Sequence, residues 1–375
     1  MLPVVSCRIT DSIEGIKIYK GNDINGYSVI ITDTLRIDAS ATSLRGEWDI
    51  RGDMLYFTDY SLVRVREYDR DGIYQTSHIN RGRGPGESPS PFNTVCFDSE
   101  GNLVTLDQSW SYKVFDSTMT QTIASYRFLS ETSYKQGDWN RLLFNPDPEI
   151  DNMYEFNLDV RDMKPYEKLV VVPVYTEHVS FNGYSTRNNK RFWRESYNYM
   201  LIDPYDGRIV SKFGHFPSCY LQRRIPTFSS YSFDVDKKGQ IVTTYAADTL
   251  IYVQPSPKEV EFAFGRSFSG FDGMFPEVKS FDEYLETYDL YREEAGYFQT
   301  IKVEDEFIFR GYKLPGDRGY GVQVYRDYNY VTDVYFHEPV RIIGQIGGDY
   351  YGAAPPDMSS DSFIIYKIRI CSENF

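Results

Sequence analysis

Two stretches of the chain repeat one pattern, and that repeat limits the fold more than any other feature. They are "GDMLYFTDYSLVRVREYD" from Gly52 and "GNLVTLDQSWSYKVFD" from Gly101. In each, a turn glycine precedes an alternating strand, an aspartate (Asp59 or Asp107), a short gap and a second strand that ends in an aromatic–Asp pair. The two aspartates lie about 48 residues apart, and a four-stranded propeller blade needs roughly 40 to 50. The repeat therefore predicts a β-propeller.

Weaker copies of the pattern follow. They occupy residues 167–214, 237–254, 305–336 and 340–370. The first of them is interrupted by an insertion of polar and aromatic residues over 176–198. The last has room for about three strands, so we expect a strand from 14–20 or 27–38 to supply the fourth and close the ring.

These units predict an all-β, six-bladed β-propeller of four-stranded antiparallel blades. We expect one propeller domain over residues 13–375, behind an N-terminal tail at 1–12. Aromatic residues make up 17% of the chain, and β-branched residues cluster in short runs. Both features favour pleated, half-buried strands over helices.

One segment departs from the repeat. In "KSFDEYLETYDLYREEAG", from Lys279, five apolar or aromatic side chains recur at helical spacing, and Ser280 with Glu283 fits the S-x-x-E capping box. The five are Phe281, Tyr284, Leu285, Tyr288 and Tyr291. We predict a short helix between the fourth and fifth blades whose aromatic stripe packs on the propeller and does not bind a ligand.

The turn between the first two units, "RGRGPGE" at 81–87, resembles the G-R-G-P-G-E-[aromatic] signature of the TolB-like six-bladed β-propeller family. The D-x-L-Y-x-x-D pattern of the first unit surrounds it. Ser88 stands where that family usually has a bulky aromatic, and we expect Phe92 to take over its packing role. The resemblance implies a single-domain propeller, export to the cell envelope and a lipid anchor. It implies no catalytic residues.

Two interpretations of this turn stay open. Glycines permit positive φ and close backbone approach, so Gly84 and Gly86 with Arg81 and Arg83 could form an anion-binding nest. Alternatively, the turn only connects two blades, and its arginines pair with Glu87 and the blade aspartates.

Composition removes several classes of function. With 40 Lys and Arg against 54 Asp and Glu, the net charge of −14 argues against nucleic acid as a partner. The four histidines are isolated, and there is no C-x-x-C pair, H-E-x-x-H or G-x-S-x-G motif. We therefore predict no cofactor, with calcium as the one candidate that an acidic chain would suit.

The N-terminus raises a question of anchoring. Residues 4–7, Val-Val-Ser-Cys, resemble a lipobox, which makes Cys7 a lipidation candidate, although neither a basic nor an apolar segment precedes it in this sequence. The longest apolar stretch, at 168–175, is too short to span a bilayer as a helix. Contact with a membrane is thus expected only through a lipid on Cys7, in the periplasm or at the outer membrane.

Loops often carry function, and the insertion at 176–198 supplies Arg191, Trp193 and Tyr197. With the turn at 81–87, these residues form the predicted recognition surface. We expect a monomeric, non-catalytic binding or scaffold module of the cell envelope, with a glycan, a peptide or a protein as partner. The alternative is a lyase or hydrolase that uses carboxylates, with or without a divalent metal, at the mouth of the central channel. Three or more carboxylates or histidines at that mouth would favour the enzyme, and an aromatic plug with a broad apolar loop face would favour binding.

Overall fold

The computed structural model describes residues 12–13, 16–108, 111–127, 142–176, 178–184, 189–221, 223–257, 260 and 262–372. The strands are β1 (Ser12–Ile13), β2 (Ile16–Ile18), β3 (Tyr27–Asp38), β4 (Gly46–Arg51), β5 (Met54–Asp59), β6 (Arg64–Asp69), β7 (Tyr74–His78), β8 (Asn80–Arg81), β9 (Glu87–Ser88), β10 (Phe92–Phe97), β11 (Leu103–Asp107), β12 (Ser111–Phe115), β13 (Thr122–Arg127), β14 (Glu155–Phe156), β15 (Lys164–Tyr166), β16 (Leu169–Tyr175), β17 (Tyr199–Ile202), β18 (Ile209–Phe213), β19 (Tyr231–Val235), β20 (Ile241–Tyr245), β21 (Ile251–Gln254), β22 (Phe262–Phe264), β23 (Tyr297–Glu304), β24 (Phe307–Lys313), β25 (Tyr320–Arg326), β26 (Asn329–Phe336), β27 (Arg341–Ile346), β28 (Asp349–Ala353) and β29 (Ser362–Ser372). The α-helices are α1 (Asn189–Glu195), α2 (Ser218–Leu221) and α3 (Phe281–Glu294), and the 3-10 turns are Asp151–Met153 and Pro226–Phe228.

Six sheets form the blades, which confirms the predicted six-bladed propeller. In chain order they contain β4–β7, β10–β13, β14–β18, β19–β22, β23–β26 and β27–β29 with β3. Neighbouring strands within these sets are antiparallel. In the third blade, β14 and β15 both pair with β16, so the position of its first strand is shared by two short segments.

The first strands of adjacent blades pack side by side and run in the same direction. The amides of Ile301 and Val303 on β23 donate to side-chain oxygens of Ser232 and Asp234 on β19, at 3.1 and 2.9 Å. From the first contact to the second, the residue number rises by two on both strands, so the strands run parallel. These strands surround the propeller axis.

The ring closes with an N-terminal strand, as predicted. β3 pairs along its full length with β29 and forms the outer strand of the sixth blade, which confirms the alternative at 27–38. The other alternative lies elsewhere: β2 pairs in parallel with β22 at the outer edge of the fourth blade. That pairing occupies backbone groups of an otherwise free sheet edge.

The repeated aspartates have equivalent structural roles. The carboxylate of Asp59 accepts from the backbone amide of Leu62 at 2.8 Å, and that of Asp107 accepts from the amide of Ser111 at 3.0 Å. Both side chains are buried at the turn between the second and third strands of their blades. The repeat therefore records a turn, which satisfies backbone donors that burial would leave unpaired.

Aromatic rings fill the spaces between strands and between blades. Trp48 of the first blade packs on Phe57 at 5.1 Å and on Phe363 of the sixth blade at 5.2 Å between ring centroids. All three rings are buried. Much of the aromatic content thus stabilises the closure of the ring.

Because the strands of a blade alternate in direction, two sets of connections reach the same face of the propeller. They join the second to the third strand within a blade, and the fourth strand to the next blade. We call this side the upper face. It carries the insertion at 176–198, which lies between β16 and β17 as predicted, and α3, which lies between the fourth and fifth blades as predicted.

Candidate functional site

The turn at 81–87 lies on the rim of the propeller and not at its axis. Its backbone is bound to the outer hairpin of the second blade: the carbonyl oxygen of Pro85 accepts from the amide of Thr122 at 2.6 Å and from its hydroxyl at 2.8 Å. The ammonium group of Lys113 donates to the carbonyl of Glu87 at 3.1 Å. These contacts suit a connection held between two blades.

The concave side of the turn holds the chain's own carboxylate. The side chain of Glu87 accepts from the amide of Gly84 at 2.6 Å, and a Cβ atom at Gly82 would overlap it. A Cβ at Gly86 would lie 2.7 Å from the carbonyl oxygen of Thr120. Glycine is therefore required here for close approach, and none of the three glycines of the turn has positive φ.

The arginines of the turn do not form the ion pairs that one interpretation of the sequence predicts. Arg81 and Arg83 are exposed, and within the described part of the chain neither forms an ion pair with Glu87 or with a blade aspartate. Glu87 instead accepts from the backbone amide of Gly84 inside the turn, where its carboxylate takes the place that a bound anion would need. The two guanidinium groups point outward on the rim.

The insertion places one of its predicted residues in its interior and another at its surface. Trp193, on α1, is fully buried and packs on Phe192 and Phe216 with centroid distances of 4.7 and 4.8 Å. Arg191 is partly exposed and pairs with Glu195 one helical turn later, at 2.7 Å. Trp193 thus supports the insertion from within, and only a change in the insertion's packing would bring its ring to a ligand.

Tyr197 lies at the end of the insertion. Its hydroxyl donates to the carboxylate of Glu149 at 2.7 Å, and its ring packs on the imidazole of His215 at 4.8 Å. Burial and the neighbouring Glu149 raise the pKa of Tyr197 to about 12. The rim turn is bound to the second blade and the insertion belongs to the third, so they are two separate surfaces.

The upper face also exposes large apolar side chains that sequence reasoning did not assign to recognition. Leu143, Phe144, Val179, Phe281 and Leu285 form what we call the upper-face patch; Phe144 is 78% and Val179 75% exposed. In the described hairpin turns of the opposite face, Ile73 is the large apolar residue that is exposed.

Two contacts connect the parts of the patch. The imidazole of His178, beside Val179, donates through Nε2 to the carbonyl of Leu142 at 2.9 Å. The ring of Tyr184 packs on Phe281 at 5.4 Å and on Tyr284 at 4.8 Å. The patch therefore continues from the connection before the third blade to α3.

Helix α3 is capped as predicted, but its aromatic stripe is divided. The hydroxyl of Ser280 accepts from the amide of Glu283 at 3.2 Å, and the carboxylate of Glu283 accepts from the amide of Lys279 at 2.6 Å. Tyr284, Tyr288 and Tyr291 are half-buried and pack, whereas Phe281 and Leu285 are exposed. The prediction that the whole stripe packs therefore holds for the three tyrosines and only in part for Phe281, whose ring contacts Tyr184 but is 54% exposed; for Leu285 it is wrong.

Charged side chains meet at the axis, near the upper mouth of the channel. One guanidinium nitrogen of Arg341 lies 2.5 Å from the carboxylate of Asp162, and another lies 3.9 Å from that of Glu47. Burial raises the pKa of Glu47 to about 7, although Arg341 acts in the opposite direction. The attraction of Asp162 raises the pKa of Arg341, which stays charged.

A second group of charges lies deeper in the channel. Asp234 is 3.4 Å from the ammonium nitrogen of Lys302 and 3.8 Å from that of Lys164. Burial acts to raise the pKa of Asp234, but the two lysines outweigh it and hold that pKa below its usual value. Burial raises the pKa of the neighbouring Asp49 and Glu304. The described side chains in the channel thus form ion pairs. The sequence analysis had considered a cluster of carboxylates or histidines, or an aromatic plug, at this place.

Sequence reasoning missed Glu47, Asp162 and Arg341. Among the residues that the structure describes, no group of three or more His, Cys, Asp or Glu side chains could hold a metal ion. Cys7 lies outside the described residues. No described helix is long and apolar enough to cross a membrane.

Solved structures with the same architecture include two from Bacteroides. A member of the DUF4221 family from Bacteroides vulgatus ATCC 8482 superimposes with a TM-score of 0.68 at 12% sequence identity, over 93% of this chain and 99% of that one. A proposed exported protein of Bacteroides fragilis NCTC 9343 superimposes with a TM-score of 0.53 at 13% identity, over 94% of this chain and 99% of that one. At these identities the similarity shows the fold. No protein-family model matches the chain, and no curated protein matches it in sequence; the TolB-like resemblance stays a prediction.

Proposed function

We propose that this propeller is a non-catalytic binding or scaffold module that holds a protein partner on its upper-face patch. The observation that carries the proposal is the unequal distribution of exposed apolar side chains. The upper face presents five in one continuous patch, and the described turns of the opposite face present Ile73. Contiguous exposed apolar surface bordered by polar residues is typical of a protein interface.

Helix α3 indicates the chemistry of that partner. Between and beside Phe281 and Leu285 it carries carboxylates at Asp282, Glu286 and Asp289, all exposed. A partner that buries Phe281 and Leu285 would bring its own charges close to these groups. We therefore propose a partner surface in which apolar side chains alternate with Lys or Arg.

The residues predicted from the sequence have a place in this proposal. Arg191 and Tyr197 lie in the insertion that also supplies part of the patch, and would contact the edge of a partner. Arg81, Arg83 and the Gly84–Glu87 turn would be a separate contact on the rim. Glycan and peptide ligands stay alternatives to a protein partner.

Export and anchoring belong to the same proposal. A structural neighbour is a proposed exported protein, and the Val-Val-Ser-Cys sequence before residue 8 resembles a lipobox. We propose an exported protein that a lipid on Cys7 attaches to the envelope. Mass spectrometry of the N-terminal peptide from native cells would show the lipid, or an unmodified Cys7 would refute this part.

The partner surface can be tested with matched variants. Leu285→Ser and Ile73→Ser remove apolar side chains of similar exposure, 60% and 62%, from opposite faces. Because both are exposed, neither change should shift the melting temperature by more than about 1 °C. A photocrosslinker placed at position 285 or 73 in native cells would then report which face meets a partner.

We expect a discrete protein adduct at position 285 and none at position 73. Capture of the same protein should weaken in Leu285→Ser and at high salt, since exposed charges on α3 are screened. Equal adducts at both positions, or no adduct at 285, would contradict the proposal. Binding of a glycan that Leu285→Ser leaves unchanged would favour the glycan alternative.

A second candidate function has one observation in its favour. A carboxyl group with a pKa of about 7, such as Glu47 beside a cavity, is suited to general acid–base catalysis. Turnover of a glycan or peptide that is lost in Glu47→Gln would establish the lyase or hydrolase alternative and displace the binding function.

A further inference from the structure

A cavity of about 270 Å³ opens at the upper mouth of the channel, between the first, fifth and sixth blades. Its walls combine apolar groups, including Trp48, Val340 and Pro356, with the charged side chains of Glu47 and Arg341. A cavity of this size accepts a small molecule and excludes a folded partner. It is therefore distinct from the upper-face patch.

The charges at this mouth do not balance. Arg341 is bonded to Asp162 at 2.5 Å and lies 3.9 Å from Glu47, so two carboxylates share one guanidinium group. Asp162, whose side chain is only 7% exposed, forms the direct contact with Arg341. Glu47 has only the longer and weaker contact with the same guanidinium group. Lys164 also attracts Glu47 but pairs with Asp234 at 3.8 Å, so an ionised Glu47 has no close cation of its own, and its partial burial is costly.

The phenol of Tyr60 also lies beside Glu47. Tyr60 is 9% exposed, and its hydroxyl lies next to the Glu47 carboxylate, which raises the pKa of that phenol further after burial has raised it. Within the described part of the chain, this hydroxyl has no hydrogen bond of good geometry. Tyr60 therefore interacts with Glu47 from behind, and it is not itself a wall of the cavity.

We propose that the cavity binds a small organic molecule through a protonated amine. The ammonium group would donate to the carboxylate of Glu47, and the apolar part of the molecule would lie against Trp48, Val340 and Pro356. A divalent metal ion fits less well, because Glu47 is the one carboxylate among the residues that line this cavity, and such ions need several oxygen ligands.

A matched pair of probes isolates the charge. Cyclohexylamine and cyclohexanol have nearly the same shape, and only the amine is cationic at pH 8. In a ligand-observed NMR titration of the full chain, we expect the amine to bind about tenfold more tightly than the alcohol. At pH 5 that preference should shrink, because Glu47 is then largely protonated.

Variants locate the site. Glu47→Gln should remove the preference for the amine, and Ala354→Leu, which fills the cavity without changing a charge, should weaken both probes. Asp305→Asn, at an exposed ion pair with Lys237, is the control and should change neither. A melting curve for each variant shows that it is folded.

Three results would overturn the proposal. They are equal affinity for amine and alcohol in the unaltered protein, an amine preference that survives in folded Glu47→Gln, and no amine binding at about 10 mM. The first and third need no variant, so a failure of Glu47→Gln to fold would not protect the idea.

Discussion

Asp234 holds three blades together at the axis, and its neutralisation should destabilise the propeller measurably. It lies on β19 and its side chain is 5% exposed. Its carboxylate meets Lys164 from the third blade and Lys302 from the fifth, and accepts from the amide of Val303. Asp234→Asn keeps the shape and one hydrogen-bond acceptor but leaves two half-buried lysines without this counter-charge.

The expected cost follows from burial. Removing one partner of a buried ion pair costs about 3 to 5 kcal/mol. We expect the lower end, since Asp49 and Glu304 also attract Lys302 and lessen its loss. Unfolding entropy of about 2.1 cal/mol/K per residue over 375 residues is roughly 0.8 kcal/mol/K, so about 3 kcal/mol lowers the melting temperature by about 4 °C.

Calorimetry at pH 7 would measure this, with Asp305→Asn as control. Asp305 pairs with Lys237, which is 75% exposed, and such surface pairs contribute about 0 to 1 kcal/mol. Salt at about 1 M should leave the Asp234 effect nearly intact because buried charges are screened little. A melting temperature for Asp234→Asn within about 1 °C of the control would refute the argument that the axial pairs join the blades.

Three further changes test other parts of the structure. The folded-state pKa of Glu47 is raised to about 7, so its contribution to stability is fully present below its unfolded pKa of about 4.5 and is lost as pH rises through about 7. Melting temperatures at pH 5 and 8 should therefore differ more in the unaltered protein than in Glu47→Gln; equal differences would contradict this. Ser280→Ala should cost about 1 kcal/mol by removing the N-cap of α3, measured by chemical denaturation, with Ser280→Thr close to unaltered. Gly86→Ala should destabilise by about 1 to 3 kcal/mol because the added Cβ meets the carbonyl of Thr120, and a neutral result would show that the rim turn can move away.

The sequence predicts those features that depend on local pattern. The turn aspartates Asp59 and Asp107 repeat because each blade needs the same hydrogen bonds at the same turn, and a repeat of that kind identifies the fold. The cap at Ser280 is equally local. By contrast, one of the two interpretations of the 81–87 turn paired its arginines with Glu87 and the blade aspartates, and nothing in the sequence says that the Glu87 carboxylate faces its own backbone.

Exposure is harder to predict than secondary structure, and Trp193 and Leu285 show why. Both residues are large apolar side chains in short segments that are otherwise rich in polar residues. From the sequence, Trp193 was assigned to recognition and Leu285 to packing. The structure buries Trp193 completely beneath Phe216 and leaves Leu285 60% exposed. The difference depends on which neighbouring connection covers each helix, and those connections are remote in sequence.

The sequence does contain a pattern that indicates the axial charges, but it becomes visible only when several blades are compared. Three pairs of charged residues two positions apart lie in, or directly before, the first strand of a blade: Glu47 and Asp49, Asp162 and Lys164, and Lys302 and Glu304. Alternation puts both members of a pair on one side of the strand, and buried strands rarely accept two charges on one side. Such pairs are stable only where strands of other blades bring opposite charges to the same axis, as Arg341 does for Asp162. Two charged residues at this spacing in the first strand of a propeller blade therefore predict which side chains line its channel.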